Sequence, residues 1–184
     1  MIRRISSVVA LTLLCACSPS EGPSGTQNSP SAPQVTDDPN AIQQLFAKSV
    51  LATGADATAF TAGLRPSRAE LGAIFTDDAA DQLAAAYDKM WSADPKPALL
   101  AKEGQTEVLV VRATAGDLKD RTEAAKSFAG GWEGLAPKLR GGATPAFKVS
   151  FVAPGEPRGM AYEAFFLVNG KLVFVPQPWR SLRD

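Results

Sequence analysis

The chain has 184 residues, with 19 basic and 19 acidic side chains and a formal net charge of zero. This balance differs from the strongly basic composition of nucleic-acid-binding proteins, so we expect no nucleic-acid partner. The sequence contains no histidine and only two cysteines. It therefore lacks the Ser-His-Asp and Cys-His catalytic sets and the histidine-ligated metal sites.

The two cysteines, Cys15 and Cys17, lie at the end of an apolar run near the N-terminus. A disulfide between residues two apart would close a small, strained ring, and a metal site would need further ligands. Arg3 and Arg4, followed by the apolar run 5–14, are instead typical of a signal peptide. The run is shorter than the about 20 residues that a membrane-spanning helix needs.

The stretch Leu14-Cys15-Ala16-Cys17 resembles the lipobox of bacterial lipoproteins, in which an aliphatic, a variable and a small residue precede the lipidated cysteine. The resemblance implies cleavage after residue 16 and acylation of Cys17. Cys15 departs from the small residues usual at the variable position. An ordinary secretory signal, cleaved nearby, is the alternative interpretation.

The lipoprotein resemblance also implies a location in the bacterial envelope. Two or three acyl chains would anchor the protein firmly, since each buried methylene contributes about 0.8 kcal/mol. An aspartate directly after the lipidated cysteine retains many lipoproteins in the inner membrane. This chain has Ser18 there, which implies the outer membrane facing the periplasm. The inner membrane and the cell surface remain alternative locations. The chain from Cys17 onward would carry 17 basic and 19 acidic residues and no free thiol, which excludes a redox role.

Residues 17–37 are predicted to be a disordered tether that follows the lipidated cysteine. Residues 18–39 contain five prolines, and Val35 is their only large aliphatic residue. Such a segment cannot bury enough apolar surface to offset the entropy of ordering it. The remainder, residues 38–184, has the length of one ordinary domain.

Capping signals and apolar spacing predict three helices at the start of this domain. Asp38 and Pro39 begin the first helix, Ser67 and Glu70 have the spacing of a capping box, and residues 76–78 begin the third. Apolar residues at three- and four-residue intervals continue them: Ile42, Leu45, Phe46 and Val50; Leu71, Ile74 and Phe75; Ala80, Leu83, Ala84, Tyr87, Met90 and Trp91.

Four strands are predicted from β-branched and aromatic runs at 106–114, 147–153, 160–168 and 171–175. Asn169-Gly170 predicts a type I′ hairpin between the last two. Residues 117–127 are predicted to be helical and 128–132 a glycine-rich turn. Helices followed by strands indicate an α+β fold, with the N-terminal helices packed on an antiparallel sheet. This element order is similar to that of cystatin-like and NTF2-like folds.

One carboxylate is expected on an apolar face of the sheet. Counting back from the hairpin turn puts Glu163 on the same face as Phe165, with Tyr162 on the opposite face. Arg112 and Arg158 are candidate ion-pair partners. A carboxylate there either forms an ion pair or lines a pocket in which it binds or protonates a ligand; the ion pair is the simpler interpretation.

A second candidate site lies near the C-terminus, where Trp179 and Arg180 follow two prolines. Both residue types are enriched at binding hot spots. Trp179 either folds back onto the core as a lid or, with Arg180, binds a partner.

Together these features favour a non-catalytic envelope lipoprotein, anchored to the membrane through Cys17, whose domain binds a partner protein or a small apolar ligand. We expect no cofactor and no bound metal. Two alternatives remain open: an NTF2-like acid/base enzyme that uses Glu163 with Tyr162 or Arg112, and a structural lipoprotein within a larger assembly.

Overall fold

The computed structural model of the protein describes residues 35–182. The helices α1 to α4 come first: α1 Pro39–Phe46, continued by a π-helical turn Ala47–Leu51, then α2 Ala57–Gly63, α3 Arg68–Ile74 and α4 Asp77–Trp91. Strand β1 Glu107–Thr114 leads into α5 Ala115–Asp120 and two 3-10 segments, Glu123–Ala125 and Gly130–Lys138. The chain ends with β2 Pro145–Val152, β3 Met160–Val168, β4 Lys171–Phe174 and α6 Pro178–Ser181.

The four strands form one antiparallel sheet in the order β1-β2-β3-β4, so the α+β prediction is confirmed. The predicted hairpin is present. Asn169 and Gly170 both have positive φ, 50° and 77°, and Val168 pairs with Lys171. These are the backbone angles that only a few residue types adopt at low cost, which is why the Asn-Gly pair marks this turn.

Side-chain caps mark the start of α1, α2 and α3, whereas Thr76 at the start of α4 makes no side-chain cap hydrogen bond. The side chain of Asp38 accepts a hydrogen bond from the Asn40 amide (2.9 Å) at the start of α1. Ser67 and Glu70 form the predicted reciprocal capping box of α3. Helix α2 was not predicted. Its start is capped by Asp56, which accepts from the Ala59 amide at 2.8 Å.

The predicted helical region 117–127 consists of α5 and a 3-10 turn. Helix α5 begins two residues earlier than predicted, at Ala115, because Thr114 and Asp117 form a second capping box. The turn predicted at 128–132 leads into the 3-10 segment Gly130–Lys138.

Both faces of the sheet are covered. On one face, Phe46 of α1 contacts Phe151 and Phe165, with ring centroids 6.5 Å and 4.8 Å away. On the other, Trp132 is 1% exposed and contacts Phe166 at 5.9 Å. A continuous apolar core therefore runs through the sheet.

Part of the predicted tether contacts the domain. The Val35 amide donates to the carbonyl of Gly170 at 3.4 Å, and Asp37 accepts from the Arg112 guanidinium at 2.7 Å. Residues 35–37, which the sequence assigns to the tether, therefore contact the domain. The predicted lipobox and Cys17 lie outside the described residues. Within 35–182, no helix combines the length and apolar character needed to cross a bilayer.

Candidate functional site

Strand β3 is irregular in its first half. Between the pairs Phe147–Phe165 and Val149–Tyr162, β3 has one residue more than β2. Such a bulge breaks the alternation of side chains along a strand. Tyr162 consequently lies on the same face as Phe165, and its ring contacts that of Phe174, with centroids 6.3 Å apart.

The same bulge turns Glu163 to the opposite face. Its Oε2 accepts from the Ala129 amide at 2.6 Å, and its Oε1 lies 3.4 Å from Nζ of Lys148. The side chain is only 12% exposed. The prediction that Glu163 shares a face with Phe165 is wrong, because it assumed uninterrupted alternation through residues where β3 carries an extra residue.

Glu163 pairs with Lys148 rather than with either predicted partner. Arg112 forms its ion pair with Asp37. Arg158 is exposed in the loop between β2 and β3 and, within residues 35–182, forms no ion pair with Glu163. Lys148 also donates to the carbonyl of Ser127, so the carboxylate and the lysine together fix the segment before Gly130 against the sheet.

A cavity of about 400 Å³ opens beside Glu163. It lies where β4 ends at Phe174, so that the first half of β3 has β2 on one side but no strand on the other. The chain after β4 then closes the space. We call it the Glu163 cavity; its lining is mainly apolar and includes Met90, Tyr162, Glu163, Phe174, Gln177 and Trp179.

Trp179 forms one wall of this cavity and folds back onto the domain. Its ring lies edge-on to that of Trp132, with centroids 5.8 Å apart. It also covers Gly131 so closely that a Cβ at this position would lie 2.3 Å from the indole ring. Glycine at 131 therefore permits the position of Trp179. Arg180 is exposed, and the partner-binding role of these two residues stays a prediction.

Tyr162 links the cavity to the connection between α4 and β1. Its hydroxyl donates to the Leu100 carbonyl (2.9 Å) and accepts from the Leu100 amide (3.0 Å). The hydroxyl is thus used within the protein, while the ring contributes to the cavity wall. Glu163 is held in the same way by Ala129 and Lys148. Side chains fixed by protein contacts form a preorganised site, which reduces the entropy lost when a ligand binds.

Sequence reasoning missed Lys148 and Gln177. Lys148 is the one charged residue of strand β2, and only the bulge in β3 brings it to Glu163. Gln177, directly before α6, has a positive φ of 45°. No local residue pattern predicts this conformation. The Gly130-Gly131 pair was recognised as a turn, but its close contact with Trp179 depends on the tertiary structure.

No protein-family model, curated protein or solved structure matches this chain. Among the described residues, no group of histidine, cysteine, aspartate and glutamate side chains is arranged to hold a metal ion.

Proposed function

We propose that the chain is a lipid-anchored protein of the bacterial envelope whose domain binds a small, largely apolar ligand without catalysing a reaction on it. The observation that carries the proposal is the Glu163 cavity. Its volume of about 400 Å³ falls in the range of small-molecule sites, and apolar walls with a few fixed polar groups are typical of them.

The anchoring part of the proposal rests on the lipobox-like stretch ending at Cys17. The segment between Cys17 and Val35 could extend to roughly 60 Å. A domain held at that distance stays close to the membrane surface, within reach of envelope lipids and of solutes in the surrounding compartment.

Native mass spectrometry tests the binding function. The full chain, made in a bacterial host with its own N-terminal sequence and extracted in mild detergent, should carry an additional mass of small-molecule size. The Gly131→Ala variant, which displaces Trp179, should lose that mass. Gly72→Ala is a matched control, because the atom its Cβ would approach is the flexible end of Arg68, remote from this cavity. A chain that stays unliganded even after incubation with an extract of its host's envelope would contradict the proposal.

Metabolic labelling with an alkyne fatty acid tests the anchor. Cys17→Ser should abolish labelling and release the protein from the membrane fraction, whereas Cys15→Ser should leave both unchanged. Equal labelling of the Cys17→Ser variant and the original chain would show that Cys17 is not the acylated residue.

An assembly role has one structural observation in its favour. Strand β1 lies at the edge of the sheet and exposes Leu109 and Val111, at 40% and 39%. Apolar residues on an edge strand favour contacts between proteins. Crosslinking in intact cells would distinguish this role, since Leu109→Lys should then abolish a specific crosslinked product and leave ligand binding intact.

The acid/base enzyme remains the third hypothesis. The hydroxyl of Tyr162 and the guanidinium of Arg112 are both engaged elsewhere, so Glu163 would act without them. Turnover that Glu163→Gln abolishes would favour this alternative over simple binding.

A further inference from the structure

We propose that the ligand of the Glu163 cavity carries an organic ammonium group. This assignment rests on the proposed function, because it names the chemical class of the ligand bound in the same cavity. Three features of the walls lead to it: the sign of the charge they present, their aromatic rings, and the helix end that closes one side.

The cavity presents a single sign of charge. Among the described residues that line it, Glu163 is the only charged one. Lys148, whose Nζ lies 3.4 Å from Oε1 of Glu163, does not belong to the lining. A ligand in the cavity therefore contacts Glu163 but not the lysine. Each carboxylate oxygen can accept more than one hydrogen bond, so the contacts with Ala129 and Lys148 leave capacity for a donor on the ligand.

The uncharged walls suit a cation as well. Tyr162, Phe174 and Trp179 contribute three aromatic rings to one cavity. The face of an aromatic ring carries partial negative charge and attracts an ammonium or guanidinium group, most strongly where water is excluded. Rings also shelter the methyl groups of a substituted ammonium, which are poorly hydrated. Carboxylate and rings together attract cations and repel anions.

The C-terminal end of α4 also contributes negative electrostatic potential to the cavity, although less than Glu163 does. Met90, next to the last residue of α4, lines the cavity. The C-terminus of a helix carries partial negative charge from its unpaired carbonyl groups. Lys89 lies in the same turn and offsets part of this effect, so the carboxylate and the rings are the main determinants.

The test compares two probes of the same shape that differ in charge. Choline is the cation, and 3,3-dimethylbutan-1-ol replaces its nitrogen by carbon. Titration of the full chain, followed by isothermal calorimetry or ligand-observed NMR, should show choline binding at least about ten-fold more tightly than the alcohol. An alcohol that binds as tightly as choline would overturn the ammonium assignment and leave the binding function standing.

Two matched variants locate the effect. Glu163→Gln keeps the size of the side chain and should weaken choline about ten-fold or more while changing alcohol binding little. Glu70→Gln is the control: this glutamate also pairs with a lysine, Lys171 at 2.9 Å, and is similarly sheltered, but it does not line the cavity. It should leave both affinities unchanged. Choline binding that survives Glu163→Gln would overturn the assignment.

The comparison of the two probes on the original chain needs no variant, so it decides the matter even if Glu163→Gln fails to fold. If neither probe binds at its highest soluble concentration, the ammonium assignment is overturned. The proposed function is judged separately by native mass spectrometry: a bound mass without a basic nitrogen would overturn the assignment alone, whereas no bound mass would count against both.

Discussion

Two cavities of nearly equal size differ in almost everything else. The Glu163 cavity measures about 400 Å³. The second, which we call the Arg68 cavity, measures about 390 Å³ and is lined by Arg65, Pro66, Ser67, Arg68, Ala84, Asp88 and Lys171. Its lining is mainly polar and charged, whereas the lining of the first is mainly apolar and aromatic. Size alone therefore does not mark a binding site in this protein.

The cationic side chains of the Arg68 cavity form ion pairs, as Glu163 does, but Arg65 and Arg68 are 44% and 43% exposed whereas Glu163 is 12% exposed. Arg65 pairs with Asp88 at 2.5 Å and Arg68 with Asp81 at 2.7 Å. Lys171 pairs with Glu70 at 2.9 Å. A ligand would have to compete with these pairs, and solvent screens any charge that remains.

A lysine–glutamate pair stands at each cavity, but in opposite orientation. In the Glu163 cavity the glutamate belongs to the lining and its partner Lys148 does not. In the Arg68 cavity Lys171 belongs to the wall and Glu70 does not. The difference shows that the chemistry a cavity offers depends on which partner of a pair faces it.

The largest difference in stability between the two regions is expected when a glycine near each one is replaced by alanine. Gly131→Ala would place Cβ 2.3 Å from the Trp179 ring, so the ring must move, and we expect a loss of about 1–3 kcal/mol in the free energy of unfolding. Gly72→Ala, in α3, would approach only the flexible end of Arg68 at 2.7 Å. It should be neutral or stabilising by up to about 1 kcal/mol, because alanine favours helix.

Urea denaturation of both variants, with the tryptophan fluorescence of the folded state, measures this difference. Equal stabilities for the two variants would mean that Trp179 is held loosely and does not form a fixed wall.

The next effect in size concerns a single hydroxyl. Tyr162→Phe keeps the ring in the wall and removes the two hydrogen bonds to Leu100. We expect a cost of about 1 kcal/mol in unfolding free energy and faster hydrogen exchange at the Leu100 amide. The loss of ligand affinity in Tyr162→Phe should be smaller than the loss in Tyr162→Leu, which also removes the ring. If Tyr162→Phe and Tyr162→Leu bind equally, the ring is not part of the site.

The sequence was sufficient for the local features of the fold. The capping box of Ser67 and Glu70 and the Asn169-Gly170 turn are formed by residues at most three apart, so they are visible in a single stretch of chain. Asp56 ahead of α2 is a signal of the same kind and could have been recognised. The β3 bulge has no such marker, since neither Glu163 nor Ala164 is a residue that favours it.

The cavity could not be predicted because its parts are distant in sequence. Residue 90 at the end of α4, residue 129 before a 3-10 segment, and residues 176–179 after β4 meet only in the folded chain. The contact between Lys148 and Glu163 depends on the register shift between β2 and β3. Local patterns predict elements, whereas a site of this kind depends on the packing of elements.

A pH titration of stability tests the pair at the Arg68 cavity. Burial opposes ionisation of Glu70, but hydrogen bonds from Ser67 and Lys171 outweigh it and hold the pKa of Glu70 below its ordinary value. A carboxyl group with a lowered pKa contributes stability that is complete above the pKa of the unfolded chain and is lost as the pH falls through the folded pKa. The original chain should therefore lose stability below about pH 4.5 more steeply than Glu70→Gln.

Urea denaturation of the two chains between about pH 3 and pH 7 measures the difference. Asp77 also has a lowered pKa, caused first by its hydrogen bond from Arg140, but it is present in both chains and cancels. A stability difference that stays constant across this range would contradict the role of Glu70.

The smallest effect is expected from the exposed ion pair of the Arg68 cavity. Asp88 is 69% exposed and Arg65 is 44% exposed, so water and salt screen their attraction. Asp88→Asn should change the unfolding free energy by less than about 0.5 kcal/mol and should leave ligand binding in the Glu163 cavity unchanged. Thermal denaturation at low and high salt gives the measurement. A larger loss of stability that disappears in high salt would mean that this ion pair fixes the surface between α2 and α4. The Arg68 cavity would then be as rigid as the Glu163 cavity, and the two would differ mainly in the chemistry of their walls.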